Sequence, residues 1–68
     1  MNAFASWLRE QLQARGMSMS ELARRMGVSS SSVAVWARGD ARPSDANVTK
    51  LAAVFGMTEA EIREAMAE

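Results

Sequence analysis

Apolar residues recur along the chain at intervals of three and four, the spacing that keeps side chains on one face of an α-helix. Phe4, Trp7, Leu8 and Leu12 form one such stripe, on a segment that runs from near Asn2 or Ala3 to Arg15 and stops at Gly16. Ser18 stands where a second helix would be capped, with Glu21 three residues on to complete a capping box. That helix carries Leu22, Ala23 and Met26 inward and ends at Gly27. Ser29 can cap a third helix reaching about Ala37, before Arg38, Gly39 and Asp40 break it. Ser44 caps a fourth, with Asp45 at the positive end of its dipole, a buried stripe of Val48, Leu51, Ala52 and Phe55, and Gly56 at its close. Thr58 and Glu61 open a fifth, on which Ile62, Ala65 and Met66 make a thin apolar edge. No strand-like alternation of any length is present. The pattern predicts an all-α fold, a single domain over residues 1–68 with no internal repeat and no linker.

Composition narrows what such a bundle can do. A chain of 68 residues buries only about 60% of its unfolded surface, which leaves little room for an enclosed active-site pocket beside the core. Histidine and cysteine are absent, and with them go the commonest metal ligands, the thiol nucleophile and the near-neutral acid–base group. The carboxylates form no catalytic pair, so the sequence predicts no enzyme, no metal and no cofactor. The longest apolar runs, Val33–Ala37 and Leu51–Phe55, are far short of the ~20 residues that span a bilayer. The start of the chain lacks the basic-then-apolar order of a signal peptide. A cytoplasmic location is the expectation.

Net charge is zero, with eight Lys or Arg against eight Asp or Glu, but the charge is segregated. Residues 1–56 hold seven basic and four acidic side chains, a net of +3, while 57–68 hold Arg63 against Glu59, Glu61, Glu64 and Glu68, a net of −3. A basic body with an acidic final helix suits a DNA-binding module whose last helix points away from the phosphates. An acidic final helix also serves solubility alone, and charge does not separate the two.

The stretch 17–43, MSMSELARRMGVSSSSVAVWARGDARP, carries the chemistry. Leu22, Met26, Val28, Val33 and Trp36 supply the apolar contacts of two crossing helices, and Ala23 is small enough for their crossing point. Gly27 stands at the turn between them, where a left-handed backbone costs other residues about 1–2 kcal/mol. A helix, a glycine turn and a second helix with a polar start form the unit whose second helix enters a DNA major groove. Residues 4–62 resemble the XRE-type, lambda-repressor-like helix-turn-helix family. The match rests on Gly16, Ser18, Glu21-Leu22-Ala23, Gly27-Val28-Ser29, Val33, Trp36, Gly39 and Pro43, continued by Asn47, Lys50-Leu51-Ala52 and Phe55-Gly56.

That resemblance implies a compact five-helix domain that reads double-stranded DNA through its third helix, as a transcriptional regulator, most simply a repressor of bacterial, phage or plasmid type. It implies base-facing positions at Ser30, Ser31, Ala34 and Val35, with Ser29 and Ser32 nearer the backbone. Ser18 and Met19, at the start of the second helix, fall at a phosphate contact. Arg38, Arg42 and Ser44 fall where backbone contacts cluster beyond the third helix. Three departures matter. No Gln, Asn, Arg or Lys stands at the base-facing positions, so the bidentate reading of a purine is absent there. Met19 replaces a residue that is usually Gln and cannot donate a hydrogen bond. Leu12 and Ala37 replace a basic residue and a Glu that are paired in many members, and Leu12 is expected to fill the space beside Ala37. The other methionines read as core fillers, Trp36 as core, Trp7 as half-exposed, and Arg24 and Arg25 divide evenly between a solvated face and a DNA contact.

Low-information readout from serines favours a homodimer on a palindrome, with half-sites about one helical turn apart. Its expected contact surface is the start of the fourth helix, around Asn47, together with the Ile62–Met66 edge. No small-molecule ligand is expected. Two other readings stand beside this one: a protein-interaction module that kept the fold, using the side of Val35 and Trp7, and an antitoxin that binds both an operator and a toxin.

Overall fold

In the computed structural model, which describes residues 3–67, five α-helices follow one another: α1 (Ala3–Arg15), α2 (Met19–Met26), α3 (Ser30–Arg38), α4 (Asp45–Phe55) and α5 (Glu59–Met66). No strand occurs among the described residues. The Asn2 start considered for the first helix lies outside them, as does Glu68.

Each of the last four helices is opened by a hydroxyl residue. Ser18, Ser29, Ser44 and Thr58 sit in extended backbone, and each side chain accepts the N–H of the residue three positions on, at 3.1, 3.2, 3.4 and 3.1 Å. Each such cap is worth about 1 kcal/mol. Only around Thr58 does the reciprocal bond form as well, from its N–H to the Glu61 carboxylate at 2.9 Å. The capping box expected at Ser18 is half made. Glu21 turns instead to Arg25, one turn along α2, at 2.6 Å, because an oppositely charged neighbour four residues away outcompetes a backbone N–H that water can also serve.

All five helices feed one core. Phe4 and Leu8 from α1, Leu22 from α2, Val33 from α3, Leu51 from α4 and Ile62 from α5 are fully buried, each contributing about 1.5–3 kcal/mol by leaving water. Ile62 corrects the sequence reading, which left it on an exposed edge. At 0% exposure it closes the core, and only Ala65 and Met66 remain half-buried at its margin. With so short a chain, the last helix has to complete the apolar interior. Trp36 and Met26 are core, and Met17, Met57 and Met66 are half-buried against it. Trp7 is half-buried, its ring 5.6 Å from Phe4 and 6.0 Å from Phe55.

Helix α1 braces the ends of two other helices. The Arg9 guanidinium donates to the carbonyl of Ala37 in the last turn of α3. Arg15 Nη2 donates to the carbonyl of Phe55, the last residue of α4, at 3.1 Å, with its guanidinium 4.3 Å from the Phe55 ring centre. Both cations lie at helix C-termini, where the dipole and the unsatisfied carbonyls favour positive charge. Leu12 and Ala37 are both buried in the common core. A polar tie between α1 and α3 runs through Arg9 and the Ala37 backbone.

Candidate nucleic-acid interface

Helices α2 and α3 are joined by a turn whose Gly27 has φ +73°, and the small Ala23 is buried near it. A Cβ at Gly27 would meet nothing within 4 Å, so the requirement for glycine is conformational and not steric. The turn orients α3 with Val33, Trp36 and Ala37 toward the core. Ser31, Val35 and Arg38, spaced by four and three, therefore line up on the opposite side. Ser30 and Ala34 lie beside that line. Ser30, Ser31 and Arg38 are exposed, Ala34 and Ser32 are half-buried, and Val35 is half-buried against the margin of the core.

The first turn of α3 holds no acid. Ser29 spends its hydroxyl oxygen on the Ser32 N–H and lies 3.1 Å from the Ser32 hydroxyl. These local bonds confine Ser29 and Ser32 to the helix end, while the side chains of Ser30 and Ser31 remain at the surface. Met19, the first residue of α2, is 42% exposed, the one large apolar side chain left in solvent among the described residues. An apolar side chain at that position is not explained by packing.

Beyond α3 the chain turns through Gly39, φ +84°, and the Asp40 N–H returns to the Val35 carbonyl at 3.0 Å. Arg38 is not solitary there. Its Nε donates to Asp40 Oδ2 at 3.0 Å, with both side chains more than half exposed. The sequence reading placed Arg38 by its position beyond the third helix and missed this partner, although an acid two residues after an arginine in a basic loop was the available signal. Arg42 is exposed, Pro43 buried, and Ser44 opens α4 at the surface. Of the two arginines on α2, Arg25 is tied to Glu21 and Arg24 is exposed.

Helix α5 has the opposite character. Arg63 joins Glu59 at 3.0 Å and reaches Asp45 of α4 at 3.5 Å, and Glu59 also accepts the Thr49 hydroxyl at 3.0 Å. The hydrogen bond from Arg63, and then that from Thr49, hold the Glu59 carboxyl below its ordinary range. An open depression of about 350 Å³ lies beside Trp7, lined by Met57, Glu61, Glu64 and Ala65. Its two carboxylates make it a poor seat for a phosphate. Val35 does not line it. Among the described residues no group of acids is arranged to hold a metal, and no helix is long and apolar enough to cross a membrane.

The sequence profile described as helix-turn-helix matches residues 8–62, the span that includes the α2–turn–α3 unit and its capped neighbours. The chain belongs to the XRE-type helix-turn-helix family. Its structure is similar to the crystal structure of the restriction-modification controller protein C.AhdI from Aeromonas hydrophila, at 33% identity and a TM-score of 0.80 over 88% of this chain and 91% of that one. It also has the fold of the clp gene regulator ClgR from C. glutamicum, at 22% identity and a TM-score of 0.78 over 96% of this chain and 84% of that one. No curated protein sequence matches the chain. The helix-turn-helix membership makes it a DNA-binding transcriptional regulator, and the homologues are regulatory proteins and not enzymes.

Proposed function

We propose that this helix-turn-helix protein is a cytoplasmic repressor that binds a specific double-stranded operator, as a twofold dimer, with α3 in the major groove. The observation that carries the reading is the outward line of exposed Ser31, half-buried Val35 and exposed Arg38 on a helix whose other face is committed to the core. Ser30, Ser31, Ala34 and Val35 meet base edges, the hydroxyls by hydrogen bonds and the aliphatic groups by contact with thymine methyls. Ser18, Ser29, Ser32 and Ser44 with their helix N-termini, together with Arg38 and Arg42, hold the sugar–phosphate backbone. Met19 adds only an apolar surface at the start of α2. Residues 1–68 act as one domain, and no catalytic group takes part.

The dimer follows from the weakness of the single copy. One module covers only ~600–1,000 Å² on DNA, and serine-based readout leaves it little better than non-specific binding. Pairing through the start of α4 near Asn47 and the half-buried Met66 margin doubles the contacts. About six neutralised phosphates give a log–log salt slope near −5.

Selection of bound duplexes from a random pool, read by sequencing, tests the reading. The expected product is an inverted repeat with half-sites ~34–36 Å apart. Recovery of no enriched sequence at low salt would overturn it.

A further inference from the structure

The turn after α3 contains an acid where both helix physics and DNA binding disfavour one. Asp40 sits just beyond the C-terminus of α3, the negative end of the helix dipole, where a carboxylate is unfavourable and a cation welcome. Its backbone is fixed by the bond from its N–H to the Val35 carbonyl at 3.0 Å, across a Gly39 in left-handed conformation. On that turn the carboxylate oxygen Oδ2 takes the Arg38 Nε–H at 3.0 Å. Residues two apart on a fixed turn lose little chain entropy in meeting, unlike surface pairs drawn from separate elements.

We propose that Asp40 sets the DNA affinity of this protein by competing with phosphate for Arg38, an inference that rests on Arg38 being a backbone contact. When the helix docks, the guanidinium has either to leave the carboxylate or to share itself between carboxylate and phosphate. The competition acts on contacts to the sugar–phosphate backbone, which carries no base identity. Asp40 therefore lowers affinity for operator and random DNA alike and leaves the ranking of sequences unchanged. Screening weakens the internal pair as salt rises, so the native protein loses affinity with salt less steeply than a variant without the carboxylate.

The test is a double-variant cycle read by fluorescence anisotropy on a labelled mixed-sequence duplex of about three helical turns, across a salt series. Asp40→Asn is expected to tighten binding about three- to tenfold at low salt, the scale set by two exposed ion pairs in a dimer, and to steepen the salt slope. Arg38→Ala is expected to weaken binding. In the Arg38→Ala background, Asp40→Asn should then change affinity by less than about twofold. If Arg38→Ala weakens binding while Asp40→Asn alone has no effect, the proposal fails and the interface stands. If the full gain from Asp40→Asn persists without Arg38, the carboxylate repels DNA directly and competition for Arg38 is overturned. If Arg38→Ala leaves binding unchanged, the placement of Arg38 at the backbone fails, and the proposal with it.

Discussion

Helices α3 and α5 are of nearly equal length, nine and eight residues, and each is opened by a hydroxyl cap, yet their surfaces are opposite. Helix α5 closes its own N-terminus: Thr58 and Glu61 satisfy each other's backbone, and Glu59 is engaged by Arg63 and Thr49. Helix α3 has no acid in its first turn, one hydroxyl cap and three exposed or half-exposed serines. A helix end that supplies its own negative charge has little use for a phosphate. One without it keeps positive potential and donors available. The scaffold is shared, and what distinguishes the two helices is which side chains stand in the first turn.

The largest change breaks both regions together. Leu22→Ala, at a site of 0% exposure shared by every helix through the core, should cost about 2–5 kcal/mol. Denaturant unfolding should show the loss, and binding should fall only in proportion to the folded fraction. Next comes the turn that aims α3. Gly27→Val should cost at least about 1–2 kcal/mol from backbone strain, because the space itself is open; a melt unchanged from the native protein would contradict the left-handed turn.

A sharper comparison sets the two caps against each other. Ser29→Ala and Thr58→Ala should each lower stability by about 1 kcal/mol. Only Ser29→Ala should weaken DNA binding beyond what stability explains, and equal binding losses would erase the distinction between the two helix ends. The smallest effect lies in pH. The Glu59 carboxyl is held below its ordinary range in the folded protein, so the folded state binds fewer protons there than the unfolded one. Its contribution is present at neutral pH and is lost as pH falls through the acid carboxylate range. Glu59→Gln should therefore flatten the acid side of the stability profile slightly, as read by thermal melts at several pH values.

Much of this architecture was legible in the residues themselves. The caps at Ser18, Ser29, Ser44 and Thr58 were readable because capping is local chemistry, as was the glycine at position 27. The fate of Ile62 was not, because periodicity shows which side of a helix is apolar and says nothing of how much core remains to be filled. The side-chain pairings of Glu21 and Arg38 were not foreseen, for a related reason. Their partners, Arg25 and Asp40, lie close in sequence, but which of several nearby groups wins depends on side-chain geometry. Arg9 and Arg15 were read only as charge, since a carbonyl 28 or 40 residues away in sequence leaves no local signal.

The claim that α3 is the reading helix is tested most directly by changing one exposed side chain on its outer line and sequencing what the protein then selects. Ser31 is exposed and outside the core, and a glutamine there can pair bidentately with adenine. Random-pool selection with Ser31→Gln, run beside the native protein, should return an operator changed at one position in each half-site, toward adenine. A variant that folds and binds with native affinity but selects the native sequences would show that α3 does not face the bases.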